Sequence, residues 1–183
     1  MSDLTQLART LGTTDRTLRR AASSGLLHVT RQSERRLRVP AAERRYLEQH
    51  WSLLAGLRRA LRTEPNVAMA VLFGSVARGG EAPGSDVDVL VDLRDPDRFR
   101  MLALELRLSN ALGRDVHLVR LADAQRDPLL LAEVLGDGRV LSDRHHRWRR
   151  LDRESARVRR LADHELATRA QAAIDGARSA AAS

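Results

Sequence analysis

The feature that most constrains the fold is a stretch in which two apolar runs flank a Gly-Ser pair and two aspartates. Residues 67–73 are seven consecutive apolar residues, a pattern typical of a buried strand. Gly74 and Ser75 end this run abruptly, and residues 79–84 contain three glycines and a proline, which indicate a loop. A second apolar run at 87–91 alternates between two faces, as a strand does. Two short, buried strands joined this closely predict a core built on a sheet.

Carboxylates at the start of the second strand indicate the chemistry. Asp86 and Asp88 are two residues apart, so they share one face of a strand, with Cα atoms roughly 6.6 Å apart. Oxygen ligands of this kind suit Mg²⁺, which binds a few carboxylates together with phosphate oxygens. Gly74 allows a close approach of the backbone to a phosphate, Ser75 adds a hydroxyl, and Arg78 could neutralise phosphate charge. The pattern predicts a triphosphate held for phosphoryl or nucleotidyl transfer.

The spacing of these residues resembles the signature of the polymerase-beta-like nucleotidyltransferase superfamily. Gly74-Ser75, ten intervening residues and Asp86-x-Asp88 match it, and the fit is closest to the minimal single-domain members. The resemblance implies an α/β (α+β) fold with a small mixed sheet, ATP as nucleotide, Mg²⁺ or Mn²⁺ as metal, and Ser85 as a further nucleotide-binding residue. Minimal members are commonly antitoxins that transfer AMP to a partner HEPN toxin.

The third predicted strand departs from this family. Residues 116–119 form another short apolar run, where the family usually carries a third carboxylate. His117 occupies that place here, and Asp115 lies two residues earlier on the same face. Asp115 could act as a metal ligand or general base, or His117 could act as the base near neutral pH. Both are therefore predicted to line the catalytic site.

The N-terminal third has the pattern of a helix, a glycine turn and a second helix, followed by loosely alternating residues 26–39. It resembles winged helix-turn-helix proteins of the MerR-like kind, with residues 26–39 as the wing. The resemblance implies that this part binds duplex DNA through the second helix and the wing. The residues predicted to contact DNA are Thr14, Arg16, Thr17, Arg20, Arg31, Arg35 and Arg36.

Charge divides the chain in the same way. All 32 basic residues are arginine, and the formal net charge is +8. Residues 1–63 contain 13 arginines against 5 acidic residues, so the entire surplus lies there. We predict a DNA-binding domain with a linker helix at 1–63, a nucleotidyltransferase domain at 64–142 and a C-terminal helix at 143–183.

Helical periodicity fills in the remaining segments. Residues 41–62 read as the linker helix, in which Trp51 is interpreted as a packing residue. A helix starting near Asp95 is expected to turn four apolar side chains inward, namely Phe99, Leu102, Leu106 and Leu108. A long arginine-rich helix is expected from Ser142 onward. Cysteine is absent and no apolar run approaches 18 residues, which favours a soluble cytoplasmic protein and argues against a membrane protein.

Three functions follow from these patterns. The first is an adenylyltransferase acting on a partner toxin, with DNA binding for autoregulation. The second is a DNA-binding regulator whose nucleotidyltransferase fold only senses nucleotide, which the histidine at position 117 favours. The third is a small-molecule nucleotidyltransferase of the aminoglycoside-modifying type, although residues 142–183 are short for the substrate domain that such enzymes carry. A homo-oligomer is compatible with each of them.

Overall fold

A computed structural model of the chain describes residues 3–33 and 36–181. Two helices and a two-stranded sheet precede a long helix, and a four-stranded sheet with further helices follows. In chain order the elements are α1 (Asp3–Thr10), α2 (Asp15–Ser23), β1 (Thr30–Ser33), β2 (Arg36–Arg38), α3 (Ala41–Arg62), β3 (Val67–Leu72), α4 (Gly74–Arg78), β4 (Val87–Leu93), α5 (Arg98–Leu112), β5 (Val116–Arg120), α6 (Leu121–Ala124), α7 (Pro128–Asp137), β6 (Arg139–Asp143), α8 (Arg147–Arg153) and α9 (Ser155–Ala181).

The larger sheet is mixed, as the family resemblance implies, with strand order β5-β4-β3-β6. The two central strands, β3 and β4, are antiparallel, and β6 is antiparallel to β3 at one edge. Strand β5 is parallel to β4, which requires a crossover, and α5 supplies it. This topology puts the start of β4, the end of β3 and the start of β5 at one end of the sheet, where the predicted site residues lie.

Both faces of the sheet are buried, which explains why β3 is apolar at every position. One face packs against α1, α2, α3 and α5 in a single apolar cluster that extends from Leu4 to Leu141. The other face packs against α6, α7 and the C-terminal helices, through residues such as Leu90, Val134 and Val158. The first cluster crosses residue 63, so apolar packing is continuous between the N-terminal helices and the sheet.

In the N-terminal region, the helices and the two-stranded sheet lie where the pattern predicts them. Helix α2 begins after Thr14, whose side chain accepts a hydrogen bond from the backbone N–H of Thr17, the usual N-cap contact. Leu18 and Ala21 face the core, as expected from the spacing. Strands β1 and β2 pair antiparallel, with Arg31 opposite Leu37.

The inward face of α5 differs from the predicted one. Leu104 and Leu108 are buried, whereas Phe99 is 71% exposed and Leu102 and Leu106 are more than half exposed. Only Leu108 of the four predicted core residues of this helix is correct. Leucines occur on every side of α5, so the sequence has no polar face that could identify the orientation.

The C-terminal region also departs from the prediction. Strand β6 continues to Asp143, and the helical part begins only at Arg147 and is interrupted at Glu154 between α8 and α9. Leu151, Val158 and Ala162 pack inward from these helices. The sequence around Ser142 is compatible with both strand and helix. Pairing with β3 makes it part of a strand.

A buried ion pair joins α3 to β6. The Arg139 guanidinium donates two hydrogen bonds to the Glu43 carboxylate, at 2.7 and 2.9 Å, and both side chains are at most 5% exposed. Arg139 also donates to the carbonyl of Ala77, at the end of α4, and its guanidinium carbon lies 3.5 Å from the ring centroid of Tyr46. The charges are thus compensated, which a buried ion pair requires. In the described part of the chain, no helix combines the length and apolar character needed to cross a membrane.

Candidate active site

The turn after β3 lies against the first carboxylate-bearing residues of β4. The backbone N–H of Phe73 donates to the carbonyl of Asp88 at 3.0 Å, which fixes the two segments side by side. Gly74 follows with φ of +75°, and a Cβ placed on it would lie 2.5 Å from Oδ2 of Asp88. This position requires glycine for two reasons: the left-handed backbone and the close approach of a carboxylate. The Gly-Ser turn and the Asp88 carboxylate are therefore packed directly against each other.

The two aspartates differ in their environments. Asp86 is exposed, whereas Asp88 lies on a strand and its side chain is only 30% exposed. Burial raises the pKa of Asp88 above its ordinary value against the opposing effect of His117, and the negative charges of Asp86 and Glu133 raise it further. A carboxylate held among other negative charges is stabilised by a cation, so the site favours metal binding in electrostatic terms.

His117 lies directly beside Asp88. The two residues are register partners in the parallel pair β4–β5, and Nδ1 of His117 is 3.5 Å from Oδ1 of Asp88. The His117 side chain is 62% exposed, so its ring is accessible from solvent. If Nδ1 carries the proton that faces Asp88, Nε2 is left to accept one. The structure therefore brings together Asp88 and the histidine that replaces the expected third acid.

Asp115 and Ser85 lie in a different place. Asp115 precedes β5, is exposed, and lines a surface depression of about 660 Å³ together with Gly84, Ser85 and Arg114. Its contact with β4 is through the backbone, since its carbonyl accepts the N–H of Val87 at 2.9 Å. The Ser85 hydroxyl accepts the N–H of Ala82, and the Ser85 carbonyl accepts the Arg114 guanidinium. These contacts hold the loop in shape. Asp115 and His117 are the two residues that could replace the family's third carboxylate. Of these two, His117 is the one that lies next to Asp88.

Arg78 is engaged by a pair of acids that the sequence analysis did not select. Its Nη1 donates to Glu133 at 2.6 Å and lies 3.5 Å from Asp137, both on α7. Glu133 is also close enough to Asp88 to affect its pKa. Glu133 and Asp137 are four residues apart on one helix face, a spacing that could have indicated an arginine partner. A triphosphate would have to compete with these carboxylates for Arg78.

The donor set fits a metal that is bound together with a nucleotide. Among residues 3–33 and 36–181, no group of three or more His, Asp or Glu side chains is arranged to hold a metal ion by itself. Asp86 and Asp88 supply two carboxylates on one face, and Mg²⁺ is commonly bound by one or two carboxylates plus substrate phosphates. Ser75, at the start of α4, is half-buried beside Gly74. The residues present therefore suit Mg²⁺ that arrives with a triphosphate.

The loop between α4 and β4 is anchored to α3. Oε1 of Glu81 is 2.6 Å from Nε2 of His50, and Nδ1 of His50 faces the carbonyl of Tyr46 at 2.9 Å. The His50 ring stacks on Tyr46, with centroids 4.4 Å apart. Burial alone would raise the pKa of Glu81, but hydrogen bonds from its own backbone and from His50 hold the pKa below its ordinary value. The sequence analysis missed this contact, which positions the loop that precedes Asp86.

The residues predicted to contact DNA are distributed over several surfaces. Thr14 caps α2 and is hydrogen-bonded to Thr17, while Arg16 and Arg20 are exposed on α2. Thr17 and Arg20 line a cleft of about 620 Å³ between α2, α3 and β6. The remaining three residues belong to the wing: Arg31 lies in β1, Arg36 in β2, and Arg35 outside the described residues.

Comparison with known proteins agrees with this geometry. Residues 56–147, half of the chain, match the family model described as polymerase beta, nucleotidyltransferase, and residues 1–55 lie outside the match. The protein adenylyltransferase MntA of Thermococcus cleftensis is 38% identical over 74 residues, which are 40% of this chain and 75% of MntA. A crystal structure of a toxin-antitoxin with AMP-PNP superposes with a TM-score of 0.52 at 28% identity, covering 68% of this chain and 98% of that one. An MntA-HpeT toxin-antitoxin mutant superposes with a TM-score of 0.53 at 26% identity, with the same coverage. The chain therefore belongs to the polymerase beta nucleotidyltransferase family and is a nucleotidyltransferase of the adenylyltransferase type.

Proposed function

We propose that this nucleotidyltransferase is an antitoxin that transfers AMP from ATP to a partner protein, a toxin of the HEPN type. The observation that carries the proposal is the close approach of Gly74 to Asp88, because it sets the Gly-Ser turn beside the acidic strand. The relatives support the acceptor class, because the protein adenylyltransferase MntA and the toxin-antitoxin with AMP-PNP are both similar to this chain.

The chain's own residues supply binding, orientation and proton transfer. Asp86 and Asp88 would hold Mg²⁺, which when bound neutralises triphosphate charge and favours attack at the α-phosphorus. The backbone at Gly74 and the hydroxyl of Ser75 would orient the triphosphate. A hydroxyl oxygen of the acceptor forms the new bond to phosphorus, the bond to pyrophosphate breaks, and Nε2 of His117 accepts the hydroxyl proton. Asp88 orients His117 for this role through Nδ1.

Transfer of label from ATP tests this function. The chain is incubated with Mg²⁺, ATP labelled on the α-phosphate, and a candidate toxin of the HEPN type. Label is expected on the toxin with the parent and is expected to fall by about 100-fold or more with Asp88→Asn, because metal stabilisation of transferred charge is worth several kcal/mol. Asp163→Asn, an exposed aspartate of α9, is the matched control. Transfer that survives Asp88→Asn would overturn the proposal.

His117 and Asp115 can be separated in the same assay. His117→Ala should lower the rate and remove the acidic limb of its pH profile, because the ring that accepts the proton is gone. Asp115→Asn should leave most of the activity, since its carboxylate lies in the depression with Ser85. If Asp115→Asn removed the activity and His117→Ala did not, Asp115 would be the residue that replaces the family's third carboxylate.

DNA binding is the second part of the proposal. Its support is the arginine surplus in residues 1–63 and the exposure of Arg16 and Arg20 on α2. Binding of the full chain to duplex DNA from its own upstream region should weaken steeply with salt, because arginine-phosphate contacts release counterions. Arg16→Ala should weaken it, whereas Arg159→Ala on α9 should not. If both variants bind like the parent, this surface does not contact DNA.

A regulator without catalysis is the alternative, and the histidine at position 117 is the observation that favours it. In that case ATP and Mg²⁺ bind and change DNA affinity, but no label is transferred to any protein. Measuring nucleotide binding and label transfer on the same preparation distinguishes the two functions.

A further inference from the structure

The cleft between α2, α3 and β6 is a concentration of positive charge that the proposed transfer reaction does not use. Its volume is about 620 Å³, and five arginines line it: Arg20, Arg58, Arg59, Arg62 and Arg144. They come from α2, from α3 and from the segment that follows β6, so guanidinium groups stand on more than one wall. The aromatic side chain of Trp51 lines the same cleft.

The positive charge is largely uncompensated. Within the described residues, Arg20, Arg58, Arg59 and Arg62 form no ion pair. Arg144 donates to the backbone carbonyls of Leu61 and Arg62, which carry no net charge. Asp143 also lines the cleft, but its two carboxylate oxygens accept the N–H groups of Arg147 and Trp148 at the start of α8.

Arg58 is the most informative member of this group. It is half-buried, and both that burial and the neighbouring charge of Arg62 lower the pKa of its guanidinium. A cation that is desolvated next to a second cation costs free energy unless an anion binds there. Elsewhere in this protein a buried arginine has a carboxylate partner, as Arg139 has Glu43. Among the described residues no carboxylate pairs with Arg58, so an anion bound in the cleft would relieve this cost.

The arrangement along α3 indicates the shape of the ligand. Trp51, Ala55, Arg58 and Arg62 are spaced as one helix face and span about 16 Å along the axis. An aromatic ring at one end of a row of guanidinium groups is the combination that proteins use for single-stranded nucleic acid, with a base on the ring and phosphates on the arginines. A concave cleft of this volume admits a single strand, whereas a duplex could only lie across its rim.

We propose that this cleft binds a short segment of single-stranded nucleic acid, DNA or RNA, with one base stacked on Trp51 and its phosphates bound by Arg58 and Arg62. Thr17 and Arg20 would contact the same strand from α2. The site shares Thr17 and Arg20 with the predicted DNA-contact residues, but Trp51, Arg58 and Arg62 are not among them, and neither Asp86 nor Asp88 lines the cleft.

Fluorescence anisotropy with the full chain tests the proposal. The probes are 12-nucleotide single strands of DNA and of RNA with one sequence, and the blunt DNA duplex of that sequence. Arg58→Gln/Arg62→Gln is expected to weaken single-strand binding at least 10-fold. The slope of log K against log salt should decrease by about 1.4, because two phosphate contacts are lost. Arg159→Gln/Arg160→Gln, an exposed pair on α9, is the matched control and should bind like the parent.

A second measurement reports on Trp51 itself. In a Trp148→Phe background Trp51 is the sole tryptophan, and saturating single strand should quench its fluorescence. The DNA and RNA arms show which strand binds more tightly, and quenching by either supports the site. Unfolding midpoints and label transfer equal to those of the parent show that the arginine variant is folded.

Three results would overturn the proposal. The first is an equal loss of affinity in the α9 control, which would mean that total charge alone matters. The second is the absence of Trp51 quenching by both strands. The third is duplex binding that depends on Arg58 and Arg62 as strongly as single-strand binding does, which would make the cleft part of the duplex surface.

Discussion

The end of the sheet that carries Asp86, Asp88 and His117, which is the proposed catalytic edge, and the junction between α3 and β6 both concentrate charged residues. Only the junction pairs its charges fully. At the junction, Glu43 and Arg139 are fully paired in the protein interior. At the catalytic edge, Asp88 is half-buried among other negative charges, and its pKa is raised. Paired charge at the junction holds the N-terminal helices to the sheet, whereas at the edge burial and the charges of Asp86 and Glu133 outweigh the contact of Asp88 with His117 and favour a bound cation.

This difference gives a criterion for finding sites in this molecule. Charge that is desolvated without a partner is costly in the free protein, so its presence indicates that a ligand supplies the partner. The criterion selects Asp88, whose burial and negative surroundings outweigh its contact with His117, and Arg58, which has no carboxylate partner among the described residues. It rejects Arg139, although that residue is the more deeply buried arginine. Variants of the Glu43–Arg139 pair should therefore affect stability more than activity. Variants at the candidate sites should affect activity more than stability.

The largest effect on stability is expected at the junction. Glu43→Gln leaves the Arg139 guanidinium buried without a negative partner, and breaking a buried pair in this way costs about 3–5 kcal/mol. Urea unfolding measures the loss. Glu165→Gln breaks the exposed pair with Arg169 on α9 and should cost less than about 1 kcal/mol. Similar costs for the two variants would remove the distinction between paired interior charge and surface charge.

At the catalytic edge, Gly74→Ala should mainly remove activity. Its Cβ would lie 2.5 Å from Oδ2 of Asp88, so the carboxylate must move, and transfer is expected to fall by about 100-fold. Gly84→Ala is the matched control, because Gly84 also has positive φ but has no atom within 4 Å of the added Cβ. Both variants should lose about 1–2 kcal/mol of stability from the left-handed backbone. If Gly84→Ala lost as much activity, strain in the loop would be the cause and not the contact with Asp88.

The same contrast explains what the sequence could predict. Gly74, Ser75, Asp86 and Asp88 lie within 15 residues, and strand geometry alone brings their backbones together. The strands followed from apolar runs of the right length, and the mixed sheet followed from the family resemblance. Local patterns of this kind are sufficient to set Gly74 beside Asp88.

Features assembled from distant residues were not predictable. The pairing of Glu43 with Arg139 spans 96 positions, and the cleft around Arg58 combines residues from α2 to the segment after β6. With 32 arginines in the chain, spacing can indicate a partner only within one helix, as for Arg169 and Glu165, and not between distant elements. The prediction of the buried face of α5 was wrong for another reason. Leucines lie on all sides of this helix, so packing against α3 and β5 determines which of them are buried.

The loop anchor between Glu81 and His50 should make stability depend on pH in a definite direction. The pKa of Glu81 is lowered in the folded state, so its contribution is present above the unfolded value near 4.3 and is lost as pH falls through the folded value. The charge of Arg114 also lowers the pKa of Glu81 and therefore adds to this contribution to stability. Glu81→Gln should therefore melt below the parent at pH 7, by a few degrees at most, and the difference should vanish once the pH lies below the folded value. A difference that persists there would show that the side chain acts through packing.

The smallest expected change in stability has the opposite sign and occurs at Asp88. Its pKa is raised in the folded state, mainly by burial, so ionisation is easier in the unfolded chain. This difference in ionisation destabilises the folded protein. The destabilisation is absent below the unfolded pKa near 3.9, develops as pH rises through the raised folded pKa, and is constant above it. Asp88→Asn should thus melt at or slightly above the parent at pH 7 without nucleotide, and equal to it near pH 3.

With Mg²⁺ and ATP present, the parent should gain thermal stability and the variant should not, because binding to the folded state is what raises the midpoint. Melting curves at both pH values, with and without ATP and Mg²⁺, check this, and Asp163→Asn should follow the parent throughout. A clear loss of stability in Asp88→Asn without nucleotide would mean that Asp88 is held by partners in the free protein, and the contrast between the two regions would then be wrong.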